Sequence, residues 1–224
     1  MTYNHEYWMA KAIQLAQKGL FTTHPNPRVG CVLVKDQTLI GEGFHVRAGE
    51  GHAEVNALAA VKQAGTEVAG ATAYVTLEPC SHQGKTPPCA KALIEAGVGK
   101  VVFGMQDPNP QVAGNGLAAI KAAGIEVIGP ILEAQCAALN PGFIKRMQEG
   151  LPFVRVKLAM SLDGRTAMAS GESQWITGPE ARLDVQKLRA QSDAVVTGIG
   201  SVLADNPSMT VRIDNHGQEA APKT

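Results

Sequence analysis

Hydrophobic residues near the start of the chain recur at the spacing of an amphipathic helix, and Gly19 marks the end of that helix. The apolar face consists of Trp8, Ala12, Leu15 and Ala16. After this segment the helical period is lost. Two apolar runs, 29–35 and 39–44, flank Asp36-Gln37-Thr38, and short runs on either side of a polar turn predict a β-hairpin.

Beyond the hairpin, predicted helices and strands alternate. One helix begins near His52, and another has Thr86 as its cap and Pro87 in its first turn. The predicted elements, in order, are a helix over 52–64, a strand over 73–77, a helix over 86–97, a strand over 100–104, a helix over 116–123, a strand over 125–128 and a helix over 132–148. This alternation implies a three-layer α/β domain.

A glycine and a proline interrupt the pattern at Glu149-Gly150-Leu151-Pro152, which is the best candidate for a linker. We therefore predict a first domain over 1–148, a linker over 149–152 and a second domain over 153–224. The elements predicted in the second domain are strands over 153–160 and 194–198, a turn at Asp163-Gly164, and a helix that starts with the capping box Thr177-Gly178-Pro179-Glu180.

The composition is typical of a soluble protein that acts on small molecules. Of the 224 residues 45% are apolar, and 20 basic residues balance 20 acidic ones, so the charge pattern indicates no surface for nucleic acid or an anionic membrane. The N-terminus lacks a basic segment followed by an apolar one, and no apolar run has membrane-spanning length. We therefore expect a cytoplasmic protein. The sequence leaves the oligomeric state open, a homo-oligomer included.

His52-Ala53-Glu54 and the later pair Cys80 and Cys89 supply the residues of a catalytic zinc site. A structural zinc is held by four protein ligands, whereas one histidine and two cysteines leave a position for water. Zinc lowers the pKa of such a water toward about 7, and Glu54 can carry its proton. Residues two apart do not share a helix face, so we expect His52 and Glu54 at a helix start. The competing interpretation is a structural zinc beside an unrelated surface glutamate.

This order of residues is the signature of zinc deaminases that act on nucleobases, except in its cysteine spacing. Eight residues separate Cys80 from Cys89, where that signature has two. With this wider spacing, the segments 24–31, 78–89 and 107–110 resemble the bifunctional pyrimidine deaminase/reductase family of riboflavin biosynthesis. The resemblance implies a cytidine-deaminase-like domain followed by the start of a dihydrofolate-reductase-like α/β domain.

For the first domain, the resemblance implies hydrolytic deamination of 2,5-diamino-6-ribosylamino-4(3H)-pyrimidinone 5′-phosphate, with release of ammonia. It also implies that this substrate is held by Asn26, His45, His82, Lys85, Asp107 and Asn109. Each of these residues has an ordinary structural interpretation as well, such as a turn former between prolines or a solvated charge. Their roles therefore depend on the resemblance.

Segments 157–165 and 171–177 resemble the opening of the family's reductase domain, which uses NADPH. By that resemblance the cofactor is contacted by Ala159, Trp175, Ser201 and Asp205. The ribose phosphate of the substrate is contacted by Ser173, Arg189, Met209 and Arg212. Only 72 residues follow Pro152, fewer than the family's reductase domain contains, so we expect a truncated reductase that binds NADPH weakly or not at all and does not reduce the substrate.

Two other functions compete with this interpretation. A nucleic-acid or nucleoside deaminase of the same fold is one. To bind nucleic acid, such a protein needs a basic surface with interleaved aromatic residues, and only 4% of this chain is aromatic. The other is a non-catalytic scaffold stabilised by zinc, which has no need of Glu54. The sequence therefore favours a zinc deaminase that acts on a small molecule.

Overall fold

The structure is a computed structural model, and it describes residues 3–82, 87–110 and 112–213. The chain divides into two compact units, Met1–Phe153 and Val154–Thr224. In the part of the chain that is described, no helix is long and apolar enough to cross a membrane.

The first unit contains a five-stranded mixed sheet with the strand order β2-β1-β3-β4-β5. Its strands are β1 (Gly30–Lys35), β2 (Thr38–Phe44), β3 (Thr72–Val75), β4 (Lys100–Phe103) and β5 (Glu126–Ile128). β1 is antiparallel to both β2 and β3, while β3, β4 and β5 are parallel. The predicted hairpin is confirmed, and its two-residue turn places Asp36 and Gln37 at positive φ, as the tight turns between twisted strands require.

Among the described residues of the first unit, six helices cover the two faces of this sheet. They are α1 (His5–Gln17), α2 (Ala53–Gln63), α3 (Cys89–Glu95), α4 (Asn115–Ala122), α5 (Glu133–Leu139) and α6 (Pro141–Glu149). Cys31 and Leu33 of β1 pack in one apolar cluster with α2, α3 and α4, whereas Val32 and Val34 pack in another with α1 and α5. This alternation follows from the two-residue period of a strand, and it confirms the predicted three-layer architecture.

Helix α2 lies directly against the backbone of β2, because β2 has glycine where the two elements meet. A Cβ atom at Gly43 would lie 2.4 Å from the nitrogen of Ala57 and 2.5 Å from the carbonyl oxygen of Ala53. At Gly41 it would lie 2.3 Å from Cγ2 of Val61. The close approach fixes the height of α2 above the sheet, and thereby the position of its N-terminus.

Two helix predictions in the first unit are wrong in detail. The single helix predicted over 132–148 is broken into α5 and α6 at Asn140, whose φ of −131° and ψ of 48° are not helical. Pro141 has no N–H to continue α5 and instead starts α6. The predicted cap Thr86 lies outside the described residues. Pro87 precedes α3 and is not in its first turn. The reason is that Pro88 follows it, and the residue directly before a proline is disfavoured in helical conformation.

The second unit contains α7 (Pro179–Ala190) and α8 (Ile199–Asp205). Residues 154–213 contain no strand, so the strands predicted over 153–160 and 194–198 are wrong, because an apolar pattern makes a strand only where a partner strand supplies hydrogen bonds. The turn at Asp163-Gly164 is confirmed by a hydrogen bond of 2.9 Å from the Ser161 N–H to the Arg165 carbonyl. The predicted capping box is wrong, since Gly178 is the N-cap residue and has no side chain to accept a hydrogen bond.

Candidate metal centre

The three predicted metal ligands meet at the N-terminal ends of two helices. His52 is the N-cap residue of α2, Cys89 is the first residue of α3, and Cys80 lies in the loop that follows β3. Nδ1 of His52 lies 3.2 Å from Sγ of Cys89 and 3.6 Å from Sγ of Cys80, and the three ligand atoms all lie within 4.8 Å of one another. Zinc bonds of about 2.0 Å to nitrogen and 2.3 Å to sulfur place tetrahedral N and S ligands about 3.5 Å apart, so the arrangement fits zinc.

The main chain of α3 holds Cys80 in place. The Cys89 N–H donates to Sγ of Cys80 at 3.3 Å, and the Ala90 N–H donates to the Cys80 carbonyl oxygen at 3.1 Å. A hydrogen bond from the Cys89 thiol lowers the pKa of Cys80 to about 4. The same bond and burial raise the pKa of Cys89. One sulfur is thus prepared as a thiolate by the protein, and a divalent cation favours the thiolate form of the second.

Glu54 lies beside the three ligands, in the first turn of α2. Its side chain is buried, and burial raises the pKa of its carboxyl to about 7. A carboxyl group with a pKa near neutrality both accepts and releases protons readily, as a general acid and base must. His52 and Glu54 therefore occupy the helix start that their spacing predicted.

Two of the metal ligands, His52 and Cys80, border a cavity of about 480 Å³ together with Glu54. The predicted substrate residues on its lining are Asn26, His45, His82, Asp107 and Asn109. His82 is exposed, whereas Asp107 is half-buried, and burial raises the pKa of the Asp107 carboxyl. The remaining predicted residue, Lys85, lies outside the described residues. The structure thus brings five of the six predicted substrate residues to one cavity.

Asn26 and His45 form a hydrogen-bonded pair on this cavity. Nδ1 of His45 lies 3.1 Å from the carbonyl oxygen of Gly51, which only accepts hydrogen bonds, so Nδ1 carries the proton. Nε2 is then the acceptor for Nδ2 of Asn26, at 3.1 Å. Burial lowers the pKa of His45, which keeps the imidazole neutral. The pair therefore presents a fixed pattern of polar atoms beside the metal ligands.

The cavity lining also contains residues that were not predicted from the sequence, among them Glu78 and Phe143. Glu78 is buried, and its carboxylate accepts hydrogen bonds from main-chain N–H groups of the following strand-to-helix loop. Its position directly before Pro79 and Cys80 was the available signal. Phe143 comes from α6 and adds an apolar wall. It gave no signal, because a phenylalanine in a helical pattern is usually part of a core.

A separate cavity of about 480 Å³ lies within the second unit. Five of the residues predicted for the second domain line it: Ala159, Ser173, Trp175, Arg189 and Arg212. Ser201, Asp205 and Met209 are not among its lining residues. Nη1 of Arg189 and Nη1 of Arg212 both donate to the carbonyl oxygen of Ser208, at 3.1 and 3.2 Å. Two guanidinium groups that converge in this way concentrate positive charge.

Comparison with family models assigns the two parts of the chain separately. Residues 2–105 match the cytidine and deoxycytidylate deaminase zinc-binding region, and residues 152–223 match the RibD C-terminal domain. The first match contains all three metal ligands and Glu54, so this part of the chain is a zinc-binding region of the deaminase type.

Curated relatives match nearly the whole chain. The riboflavin biosynthesis protein RibD of Escherichia coli (strain K12) is 60% identical over 221 residues, which cover 97% of this chain and 59% of the relative. The RibD of Haemophilus influenzae is 62% identical over 207 residues, which cover 92% of this chain and 55% of the relative. The chain thus spans less than two thirds of the length of these relatives.

Solved structures show the same similarity in three dimensions. RibD of Acinetobacter baumannii matches with a TM-score of 0.89 and 60% identity, over 96% of this chain and 59% of the other. A diaminohydroxyphosphoribosylaminopyrimidine deaminase/5-amino-6-(5-phosphoribosylamino)uracil reductase of Thermotoga maritima matches with a TM-score of 0.89 and 46% identity, over 94% of this chain and 60% of the other. The mixed sheet and the ligand-bearing helices therefore belong to an architecture known from experiment.

Proposed function

We propose that this chain, which belongs to the riboflavin biosynthesis deaminase/reductase family, uses residues 1–148 to deaminate 2,5-diamino-6-ribosylamino-4(3H)-pyrimidinone 5′-phosphate by hydrolysis. The observation that carries the proposal is the convergence of His52, Cys80 and Cys89 beside the buried Glu54, at a cavity that His52, Cys80 and Glu54 line. The names of the relatives support the choice of substrate. Residues 149–152 are then a linker to a second domain over 153–224.

His52, Cys80 and Cys89 hold the metal in this proposal, and a bound zinc supplies the Lewis acidity that makes water a nucleophile near neutral pH. Glu54 accepts a proton from the attacking water and donates it to a ring nitrogen; it then accepts the second proton from the hydroxyl group added to the ring carbon and donates it to the departing amine. The ring carbon gains oxygen and loses ammonia, so one water is consumed for each ammonia released. The raised pKa of Glu54 suits both halves of this proton transfer.

Recognition of the pyrimidine falls to the polar residues around the cavity. Asn26 and neutral His45 are held against each other, which fixes the positions of their remaining polar atoms before substrate arrives. Asp107 and Asn109 contribute from the loop after β4. His82 and Lys85 are proposed substrate contacts by resemblance to the family.

The second domain is proposed to contribute contacts to NADPH and to the ribose phosphate of the deaminated product, with the weak NADPH binding expected from the sequence. Ala159 and Trp175 are the proposed cofactor contacts on its cavity, and Ser201 and Asp205 are proposed from the family resemblance. The convergent guanidinium groups of Arg189 and Arg212 suit a phosphate, because arginine forms strong charge-assisted hydrogen bonds with it. Ser173 and Met209 complete the proposed substrate contacts.

We expect a cytoplasmic enzyme that acts on small molecules and has no nucleic-acid or membrane partner.

Ammonia release by the purified zinc-loaded chain tests the deaminase proposal. The diaminopyrimidine phosphate, cytidine and a single-stranded RNA are compared at equal concentration, each with and without a zinc chelator. We expect turnover of the diaminopyrimidine phosphate, its loss on chelation, and its return when zinc is added back. Faster release from cytidine or RNA would assign the chain to the alternative deaminase class.

A further inference from the structure

The carboxylate of Glu78 is buried and surrounded by main-chain donors. Its Oε1 accepts from the N–H groups of Gly116, at 3.0 Å, and Leu117, at 3.4 Å. Its Oε2 accepts from those of Gly114, at 2.9 Å, and Asp107, at 3.3 Å. The Glu78 side chain is thus hydrogen-bonded to both ends of the loop that joins β4 to α4 and to the first turn of α4.

Glu78 also lies two residues before the metal ligand Cys80. The first turn of α4 packs tightly against this segment, since a Cβ atom at Gly116 would lie 1.8 Å from the carbonyl oxygen of Pro79. Only glycine permits this approach. The turn that carries Cys80 and the loop over 106–114 are therefore joined through Glu78 and Pro79.

The same loop presents two of the cavity's polar residues. Oδ1 of Asp107 accepts from the N–H of Asn109 at 2.8 Å, so the positions of the two residues depend on each other. Both line the cavity next to the metal ligands, as does Glu78. A displacement of the Asp107 main chain would therefore move both side chains relative to Cys80.

We propose that Glu78 is a positioning residue, which holds the loop over 106–114 against the Cys80 turn so that Asp107 and Asn109 face the substrate. The proposal rests on the deaminase function proposed above. A carboxylate suits the task because it offers two acceptor oxygens and no donor, and all four groups that face it are donors. A glutamine of the same shape would turn an NH₂ group toward two of them.

The metal ligands depend on other contacts. His52 and Cys89 are placed by the starts of α2 and α3, and Cys80 is held by main-chain groups of α3. Loss of the Glu78 contacts is thus expected to disturb substrate binding and to leave zinc in place. This separation distinguishes a positioning role from general support of the fold.

The test compares Glu78→Gln with Glu95→Gln, the same substitution at an exposed position of α3. Amide hydrogen exchange is measured on the zinc-loaded proteins. The zinc content and the KM and kcat for ammonia release are measured on the same proteins. We expect Glu78→Gln to speed exchange at Asp107, Gly114, Gly116 and Leu117 by about tenfold or more, since hydrogen bonds to charged groups are strong. Exchange in α2 and zinc content stay unchanged, and KM rises more than kcat falls. Glu95→Gln behaves as the unsubstituted chain.

Unchanged exchange at these four amides would overturn the proposal, whatever the kinetics. So would faster exchange with an unchanged KM, because the loop would then not position substrate groups. If the unsubstituted chain releases no ammonia, the proposed function fails. In that case the exchange measurement alone decides whether Glu78 holds the loop.

Discussion

The side chain of Asn140 binds both main-chain groups of Arg28, although the two residues lie 112 positions apart. Oδ1 of Asn140 accepts from the Arg28 N–H at 2.8 Å, and Nδ2 donates to the Arg28 carbonyl oxygen at 2.9 Å. Asn140 is buried at the break between α5 and α6. Arg28 follows the segment that carries Asn26. The break in the helix thus serves to fix one side of the metal cavity.

Asn140→Asp should destabilise the protein by about 1–3 kcal/mol, because an ionised carboxylate cannot donate to the Arg28 carbonyl, so this hydrogen bond is lost and two acceptor oxygens face each other. The free energy of unfolding in urea measures the change. Gln148→Glu is the matched control, an amide-to-carboxylate change at an exposed position of α6. Equal stability of the two variants would show that the hydrogen bonds between the Asn140 side chain and the Arg28 main chain contribute little to stability.

Gly43→Ala should destabilise the protein by about 1–3 kcal/mol, the usual cost of overpacking. The added methyl group would meet backbone atoms of α2, which cannot move aside as a side chain can. Gly142→Ala is the control, since a Cβ there meets only Cβ of Phe153, at 3.9 Å. Thermal unfolding of both variants is the measurement. A stable Gly43→Ala protein would mean that α2 shifts at low cost.

Zinc content should depend on Cys80 and Cys89 and on neither of the other two cysteines. We expect about one zinc per unsubstituted chain, because two thiolates and an imidazole form a favourable site. Elemental analysis of Cys80→Ala and Cys89→Ala should show most of the metal lost. Cys136→Ala, which removes a buried thiol elsewhere in the fold, should keep it. Retention of zinc by either ligand variant would refute the assigned ligand set.

Sequence patterns were sufficient where structure depends on near neighbours. The apolar face of α1, the hairpin around Asp36 and Gln37, and the start of α2 at His52 all follow from local spacing and turn chemistry. The metal ligands were predictable for a related reason. Their residue types are chemically specific, and each lies at a helix start or in a strand-to-helix loop that the pattern also predicts.

Features that depend on distant partners could not be predicted in this way. The break at Asn140 is explained by Arg28, and the burial of Glu78 by donors between Asp107 and Leu117. The apolar run over 153–160 has the composition of a strand, but residues 154–213 provide no strand for it to pair with. A local sequence pattern shows which secondary structure a segment can adopt, and its contacts with distant residues determine which one it adopts.

Zinc content and deamination, measured together on Glu54→Gln, separate metal binding from proton transfer. Because His52, Cys80 and Cys89 hold the metal and Glu54 carries the proton, the variant should retain the zinc content of the unsubstituted chain. Ammonia release from the diaminopyrimidine phosphate should fall by about a hundredfold to ten-thousandfold, the usual contribution of a general acid and base. A variant that keeps its zinc and turns over at a near-normal rate would show that another group carries the proton, and would contradict the account.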